Sequence, residues 1–326
     1  MSMRARFWGT RGSLPVALTA AQVRHKVAQA LLLAEGRRFK DQAEAEAFAA
    51  TLPFTTAQTF GGSTSCVELE LQAPGKDSHE YILCDLGSGV RAFGNGVLAR
   101  HGPKTPNVFH IFMSHLHWDH IMGFPFFTPA YIPGNKLRIY GCHADMEAAF
   151  RRQQAPPSFP VDFDYLGADI EFVRLEPGHR YDIAGLRVTP KLQLHAGDSY
   201  GYRFEHNRQV LVYSTDSEHK LDSAEETESF VRFFFGADLV IFDAMYSLAD
   251  AVSVKEDWGH SSNMVGVELC QLAGVRHLVL FHHEPVFKDT KIAEVEAETR
   301  RLEALTRQDA PKLSISAAYD GLEIEI

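Results

Sequence analysis

The sequence predicts an α/β protein in which short strands alternate with amphipathic helices. Three observations carry the prediction. Short apolar runs punctuated by Gly and Pro fill most of the first half, helical periodicity strengthens afterwards, and the 326 residues are 45% hydrophobic and 23% charged, an ordinary globular balance. Such a chain buries a large core, but its length alone leaves the number of domains open.

In chain order, the apolar runs predict strands at 66–71, 81–85, 108–113, 137–140, 186–194, 209–214, 239–243, 277–281 and 313–316. Each is rich in Val, Ile, Leu, Phe or Tyr. Helices are predicted at 20–35, 223–234, 264–273 and 290–305, the last placing Ile292, Val295, Leu302 and Leu305 on one face. Residues 18–52 read as a separate helical insertion, because they are Ala-rich, charged and flanked by two Gly-containing loop motifs. Its Val23, Val27, Ala30 and Leu31 stripe is expected to pack, and the segment could form a lid or a subunit contact, so a homodimer is an option.

Charge narrows the partners. The 32 Lys and Arg against 42 Asp and Glu leave a formal charge of −10, whereas proteins that track long nucleic acid carry a basic stripe. A small anionic substrate is compatible with this balance, since bound dications reverse the potential locally. The four cysteines, Cys66, Cys84, Cys142 and Cys270, form no CxxC pair and read as buried small hydrophobes in a reducing compartment. The N-terminal stretch has no apolar signal-like run, and no uncharged segment approaches bilayer length, so a cytoplasmic protein without membrane contact is expected.

The strongest local signal is His115-Leu116-His117-Trp118-Asp119-His120, directly after the apolar run 108–113. In an extended segment, residues two apart point the same way, so His115 and His117 can offer imidazoles to one ion. Asp119 and His120 follow where the chain turns and could reach a second. These ligand types suit Zn, Mn or Fe alike. A His-rich surface loop is the bland alternative, but four ligand-type residues within six positions at a strand end argue for metal.

The hexapeptide resembles the His-x-His-x-Asp-His signature of the metallo-β-lactamase superfamily. Gly9-Thr10-Arg11-Gly12-Ser13-Leu14-Pro15, Gly61-Gly62-Ser63-Thr64-Ser65-Cys66 and Asp85-Leu86-Gly87-Ser88-Gly89 resemble segments of its phosphodiesterase branch, which includes tRNase Z-like and cyclic-nucleotide phosphodiesterase-like members. So do Gly123-Phe124-Pro125-Phe126-Phe127, Tyr213-Ser214-Thr215-Asp216, Trp258-Gly259-His260-Ser261-Ser262 and Phe281-His282-His283-Glu284-Pro285. The resemblance covers nearly the whole chain outside 18–52. It implies an αββα sandwich, two mixed β-sheets flanked by helices, as one domain spanning 1–326 with the helical insertion.

Carried over by position, the resemblance implies a first ion on His115, His117 and His195, a second on Asp119, His120 and His282, and Asp216 bridging them. Zn is the first choice of metal, with Mn or Fe as alternatives. Asp216 stands at a strand end, where its other reading is an Asx-turn residue. Strand alternation lets only one of His282 and His283 reach the site; the motif register selects His282, leaving His283 in a supporting position or exposed. The resemblance makes His260 the proton donor and Asp119 a further catalytic residue. Ser261, Ser262 and Asn263 are N-cap types ahead of the helix near Met264, a place that favours an anion. Asp85 could orient a ligand imidazole or cap the glycine turn, and Arg11, Thr64 and Ser65 could line the pocket mouth.

The implied chemistry is hydrolysis of a small phosphodiester, a cyclic nucleotide first, by a metal-bridging hydroxide with His260 protonating the leaving group. The sequence has no long basic arm of the kind tRNA-processing relatives use to hold tRNA. Hydrolysis of a carboxyl ester, lactone or thioester on the same centre is the first alternative, and an inactive nucleotide-binding sensor the second.

Overall fold

The computed structural model describes residues 2–71, 79–219, 223–245 and 260–326. Trp258 and Gly259 of the motif 258–262 lie outside the described residues. The first half of the chain runs β1 (Met3–Gly9), α1 (Ala20–Leu33), α2 (Gln42–Ala49), α3 (Phe54–Ala57), β2 (Cys66–Leu71), β3 (Glu80–Cys84), α4 (Val90–His101), β4 (Val108–Phe112), α5 (Trp118–Ile121), β5 (Lys136–Gly141), α6 (Met146–Gln153) and β6 (Asp169–Arg174). The second runs β7 (Tyr181–Ile183), β8 (Leu186–Gln193), β9 (Ser199–His206), β10 (Gln209–Ser214), α7 (Ala224–Phe234), β11 (Leu239–Asp243), α8 (Asn263–Leu272), β12 (His277–Phe281), α9 (Asp289–Thr306), β13 (Ser314–Ala317) and β14 (Glu323–Glu325).

The strands form two seven-stranded mixed sheets, ordered β14-β1-β2-β3-β4-β5-β6 and β13-β12-β11-β10-β9-β8-β7. Strands β3 to β6 run parallel, as do β10 to β13. Period-two alternation builds the layers. Leu211 and Tyr213, Leu239 and Ile241, and Val279 and Phe281 point between the sheets, where they meet Met3, Ala5, Phe7 and Phe112. Their neighbours Val212, Val240, Phe242, Leu278 and Leu280 point outward under α7, α8 and α9. On the other side, Phe109 and Ile111 pack under Phe93 and Val97 of α4 and Phe150 of α6. Two sheets with helices outside is the sandwich that the sequence motifs imply.

Several elements depart from the sequence-based expectation. Strand β1 alternates arginines with small and apolar residues, and those arginines are matched across the sheet by Glu70, Glu323 and Glu325. Helix α4 carries Gly94 and Gly96, which weaken helical propensity. A Cβ at Gly94 would lie 2.9 Å from the Phe127 ring, so packing against the 127–129 turn requires the glycine. The apolar stripe of α1 does not pack. Val23, Val27 and Leu31 are 47%, 53% and 68% exposed, while the adjoining face, that of the half-buried Gln22, Lys26 and Ala30, is tied down by Lys26, whose Nζ donates to the carbonyls of Thr55 and Gln58 and pairs with Asp289 at 2.6 Å. The four cysteines are buried and free. Among the described residues, no helix is long and apolar enough to cross a membrane.

Candidate metal centre

The topology gathers chemistry at one edge. Strands β3, β4, β10, β11 and β12 all end there, and β8, antiparallel to β9 as β9 is to β10, ends there too. Asp85, Ser114, His115, His195, Asp216, Asp243 and His282 are the residues at or just beyond those ends. Ligand sites of parallel sheets form outside such carboxyl ends. Asp85, Asp216 and His282 sit there at φ 59°, 44° and 59°. Left-handed backbone at non-glycine residues costs about 1–3 kcal/mol each and persists where surrounding structure holds it, as it does at functional sites.

Two groups of donors result. His115, His117 and His195 bring ligand atoms within 4.8 Å of one another, as do Asp119, His120, Asp216 and His282. His117 Nδ1 and His195 Nε2 are 3.2 Å apart. Asp119 Oδ2 lies 3.1 Å from His282 Nε2 and 3.2 Å from His120 Nε2. Asp216 spans both groups. Its Oδ2 is 3.5 Å from His115 Nε2 and 3.8 Å from His195 Nε2, while its Oδ1 is 3.3 Å from His120 Nε2 and 3.2 Å from His282 Nε2.

Buried hydrogen bonds set these side chains. Asp85, expected either to orient an imidazole or to cap the glycine turn, accepts from His120 Nδ1 at 2.8 Å, and also from the Ser114 amide, the Ser114 hydroxyl and the Tyr213 hydroxyl. Because the Ser114 hydroxyl gives its proton to Asp85, its oxygen can accept from His115 Nδ1 at 3.1 Å. His115 and His120 are thereby held as Nδ1–H tautomers, with Nε2 turned inward. Asp243, a residue the sequence reading missed, accepts from His260 Nδ1 at 2.8 Å. The His260 ring lies 5.1 Å from those of His195 and His282, over both donor groups.

The charges are those of a cation site. Burial would raise Asp119, but the adjacent His120 and His282 imidazoles hold it far below the usual carboxylate range; His282, His120 and His115 likewise outweigh burial at Asp216. Burial would lower His120, but Asp119, Asp216 and Asp85 carry it well above its ordinary value. Burial holds His115 well below, reinforced by His120. At His260 burial again lowers, and Asp243 with its hydrogen bond raises the imidazole to about 9. Anionic carboxylates at zero to a few per cent exposure need countercharge. Imidazole nitrogens and carboxylate oxygens gathered in two adjacent groups are donor types that divalent metal ions take. Among the described residues, His115 Nε2 is buried without a hydrogen-bond partner on that inward side. The residues therefore fit divalent ions.

Other expectations fare differently. His283 is neither exposed nor turned to the site: its buried ring donates from Nε2 to the Ala318 carbonyl. Arg11 is buried, donating to the carbonyls of Gly61, Glu284 and Phe287, and Thr64 accepts from the Ser88 amide, so neither lines a pocket mouth. Ser65 is fully buried as well. The expected cap on α8 is absent, because Ser262 makes no capping bond, Ser261 donates to the Ser217 carbonyl and Asn263 donates to Thr299. Asp243 could have been found as Asp85 was, as an acid closing an apolar strand.

A beta-lactamase superfamily domain model matches residues 80–283, which run from β3 through His282. Ribonuclease Z of Exiguobacterium sibiricum is 24% identical over 250 residues, covering 62% of this chain and 80% of that relative. The metallo-beta-lactamase fold protein YhfI from Bacillus subtilis aligns over 100% of both chains with a TM-score of 0.62 and 16% identity. Yeast PDE1 aligns over 100% of this chain and 99% of its own, with a TM-score of 0.61 and 13% identity.

Proposed function

The chain belongs to the beta-lactamase superfamily as a metal-dependent hydrolase, and from that premise we propose that it cleaves small phosphodiesters, cyclic nucleotides first among them. One observation carries this reading: His260, locked by Asp243, stands over two adjacent donor groups joined by Asp216. The ribonuclease Z relative supports the phosphodiester class.

His115, His117 and His195 would hold one ion, and Asp119, His120 and His282 the other, with Asp216 shared; Zn is the first choice, Mn or Fe the alternatives. Bound there, two dications would offset the negative charge of a phosphodiester and supply a nucleophile at neutral pH. The protein's own residues do the rest. His120 and His115 are held in one tautomer by Asp85 and Ser114, so the donor atoms need little reorganisation on loading. Asp243 occupies His260 Nδ1 and keeps the ring protonated at neutral pH, which leaves Nε2 to pass a proton to the departing alkoxide. Asp119, kept ionised beside His120 and His282, would accept a hydrogen bond from the attacking water and so orient it. The net charge of −10 fits a small anion drawn to a local positive centre better than a long polyanion.

Incubating the metal-loaded protein with cyclic mononucleotides, cyclic oligonucleotides and bis-nitrophenyl phosphate tests the reading. Turnover of at least one, lost on His260→Ala, is expected. No turnover of any would reject it, and lactone or thioester turnover untouched by His260→Ala would replace it with the ester reading.

A further inference from the structure

We infer that the backbone of Arg11, Gly12 and Ser13 is a brace that positions His282 and Asp119, and thereby decides whether the second ion is retained. Gly12 lies flat against the His282 imidazole: a Cβ built on it would fall 2.5 Å from both Cε1 and Nδ1 of that ring. The ring also lies near-parallel to that of His260, with centroids 5.1 Å apart, and to that of His120, 5.4 Å away. With Gly12 against one face there is little room for the ring to tilt, and its Nε2 is aimed at Asp119 and Asp216. One residue on, Ser13 at φ 56° turns its amide to donate to Asp119 Oδ2 at 2.8 Å. That oxygen is the one facing His120 and His282, so the amide both fixes its direction and reduces its charge.

The brace is itself anchored. Gly12 donates to the His283 carbonyl, and the His283 amide donates back to Thr10, while the Thr10 and Arg11 amides share the Ser63 carbonyl. The Arg11 guanidinium, 3% exposed, spends its donors on backbone carbonyls of two further loops, those of Gly61 and of Glu284 and Phe287. A planar fork holds three carbonyls in a way that an ammonium cannot. Among the described residues, the contacts of this segment with the donor groups are those of Gly12 with His282 and of Ser13 with Asp119, so its influence falls on one of the two ions.

This rests on the two-ion reading above, and zinc titration of the metal-stripped protein, counted by elemental analysis, separates the two. The unaltered protein is expected to retain two ions; fewer would overturn the premise and the inference with it. Gly12→Ala is expected to retain one, with the second ion's affinity down at least tenfold and the first unchanged. In a chain already carrying His282→Ala, Gly12→Ala should cost nothing more, because the clash partner is gone. Should Gly12→Ala fail to fold, Arg11→Lys, which keeps the charge but loses the fork, is expected to weaken the same ion. Two ions held at unaltered affinity in the variant that folds, or an additive loss in the double variant, would overturn the brace.

Discussion

Asp243 closes strand β11 with both carboxylate oxygens committed. Oδ2 accepts from His260 Nδ1 at 2.8 Å and from the Ser217 amide, and Oδ1 accepts from the Met245 amide. The pair therefore has a fixed geometry before any substrate arrives, and the carboxylate contributes charge as well as orientation.

The pH profile follows from that pair. His260 must carry its proton to act as an acid, so turnover is lost as pH rises through the titration of this imidazole, which Asp243 pushes upward. Asp243→Asn removes the raising charge while keeping the shape, and the alkaline limb of kcat should move to lower pH. An unmoved limb would separate His260 from proton donation. His260→Ala itself should lower kcat by about 10²-fold or more with bound metal unchanged.

On the proposed two-ion reading, Asp216 would be shared by both ions. Since its two oxygens face different donor groups, Asp216→Ala should weaken both ions, whereas His117→Ala should weaken only the first. Elemental analysis after dialysis against a weak chelator reads the difference. Full retention of both ions by Asp216→Ala would contradict the shared role.

Acid stability should depend on His219. Burial among Phe230 and Phe242 lowers its imidazole to about 3, and neither ring nitrogen has a hydrogen-bond partner among the described residues. The unfolded chain takes up this proton near 6.5 and the folded one only near 3, so stability is full above 6.5 and falls as pH drops through that window, by about 1.4 kcal/mol per unit. Urea unfolding at pH 7 and pH 5 should show a loss of about 2 kcal/mol from this group, and His219→Phe should remove it. An equal acid loss in the variant would place the proton elsewhere.

Position on α1 should matter little for stability. Val27→Glu and Leu31→Glu alter exposed side chains and should shift unfolding by less than about 0.5 kcal/mol. Phe242→Ala, in the fully buried layer under α8, should cost about 3–5 kcal/mol. A large loss from the α1 variants, measured by denaturant unfolding, would mean that the stripe is covered in solution.

Much of the fold was legible because period and burial agree. Strands such as Gln209–Ser214, Leu239–Asp243 and His277–Phe281 are continuous apolar runs, as strands covered on both faces must be. Strand β9 is no continuous apolar run: Tyr200, Tyr202 and Phe204 alternate with Gly201, Arg203 and Glu205, the weaker period-two pattern that the sequence reading missed, and β8 and β10 flank it. The stripe of α1 misled for a related reason. An apolar face shows that a helix could be buried, while the anchoring of Lys26 onto Asp289 and two carbonyls turned the adjoining face inward.

By itself the sequence determined the ligand chemistry, since His115, His117, Asp119 and His120 lie within six positions and any extended-then-turned backbone brings them near one another. The tertiary structure decided the rest: that Asp85, His195, Asp216, Asp243 and His282 meet there, that Asp243 holds His260, and that His283 turns away. The reason is topological. Parallel strands deliver their carboxyl ends to one edge however far apart they stand in the chain, and pairing between strands is a property that no single segment encodes.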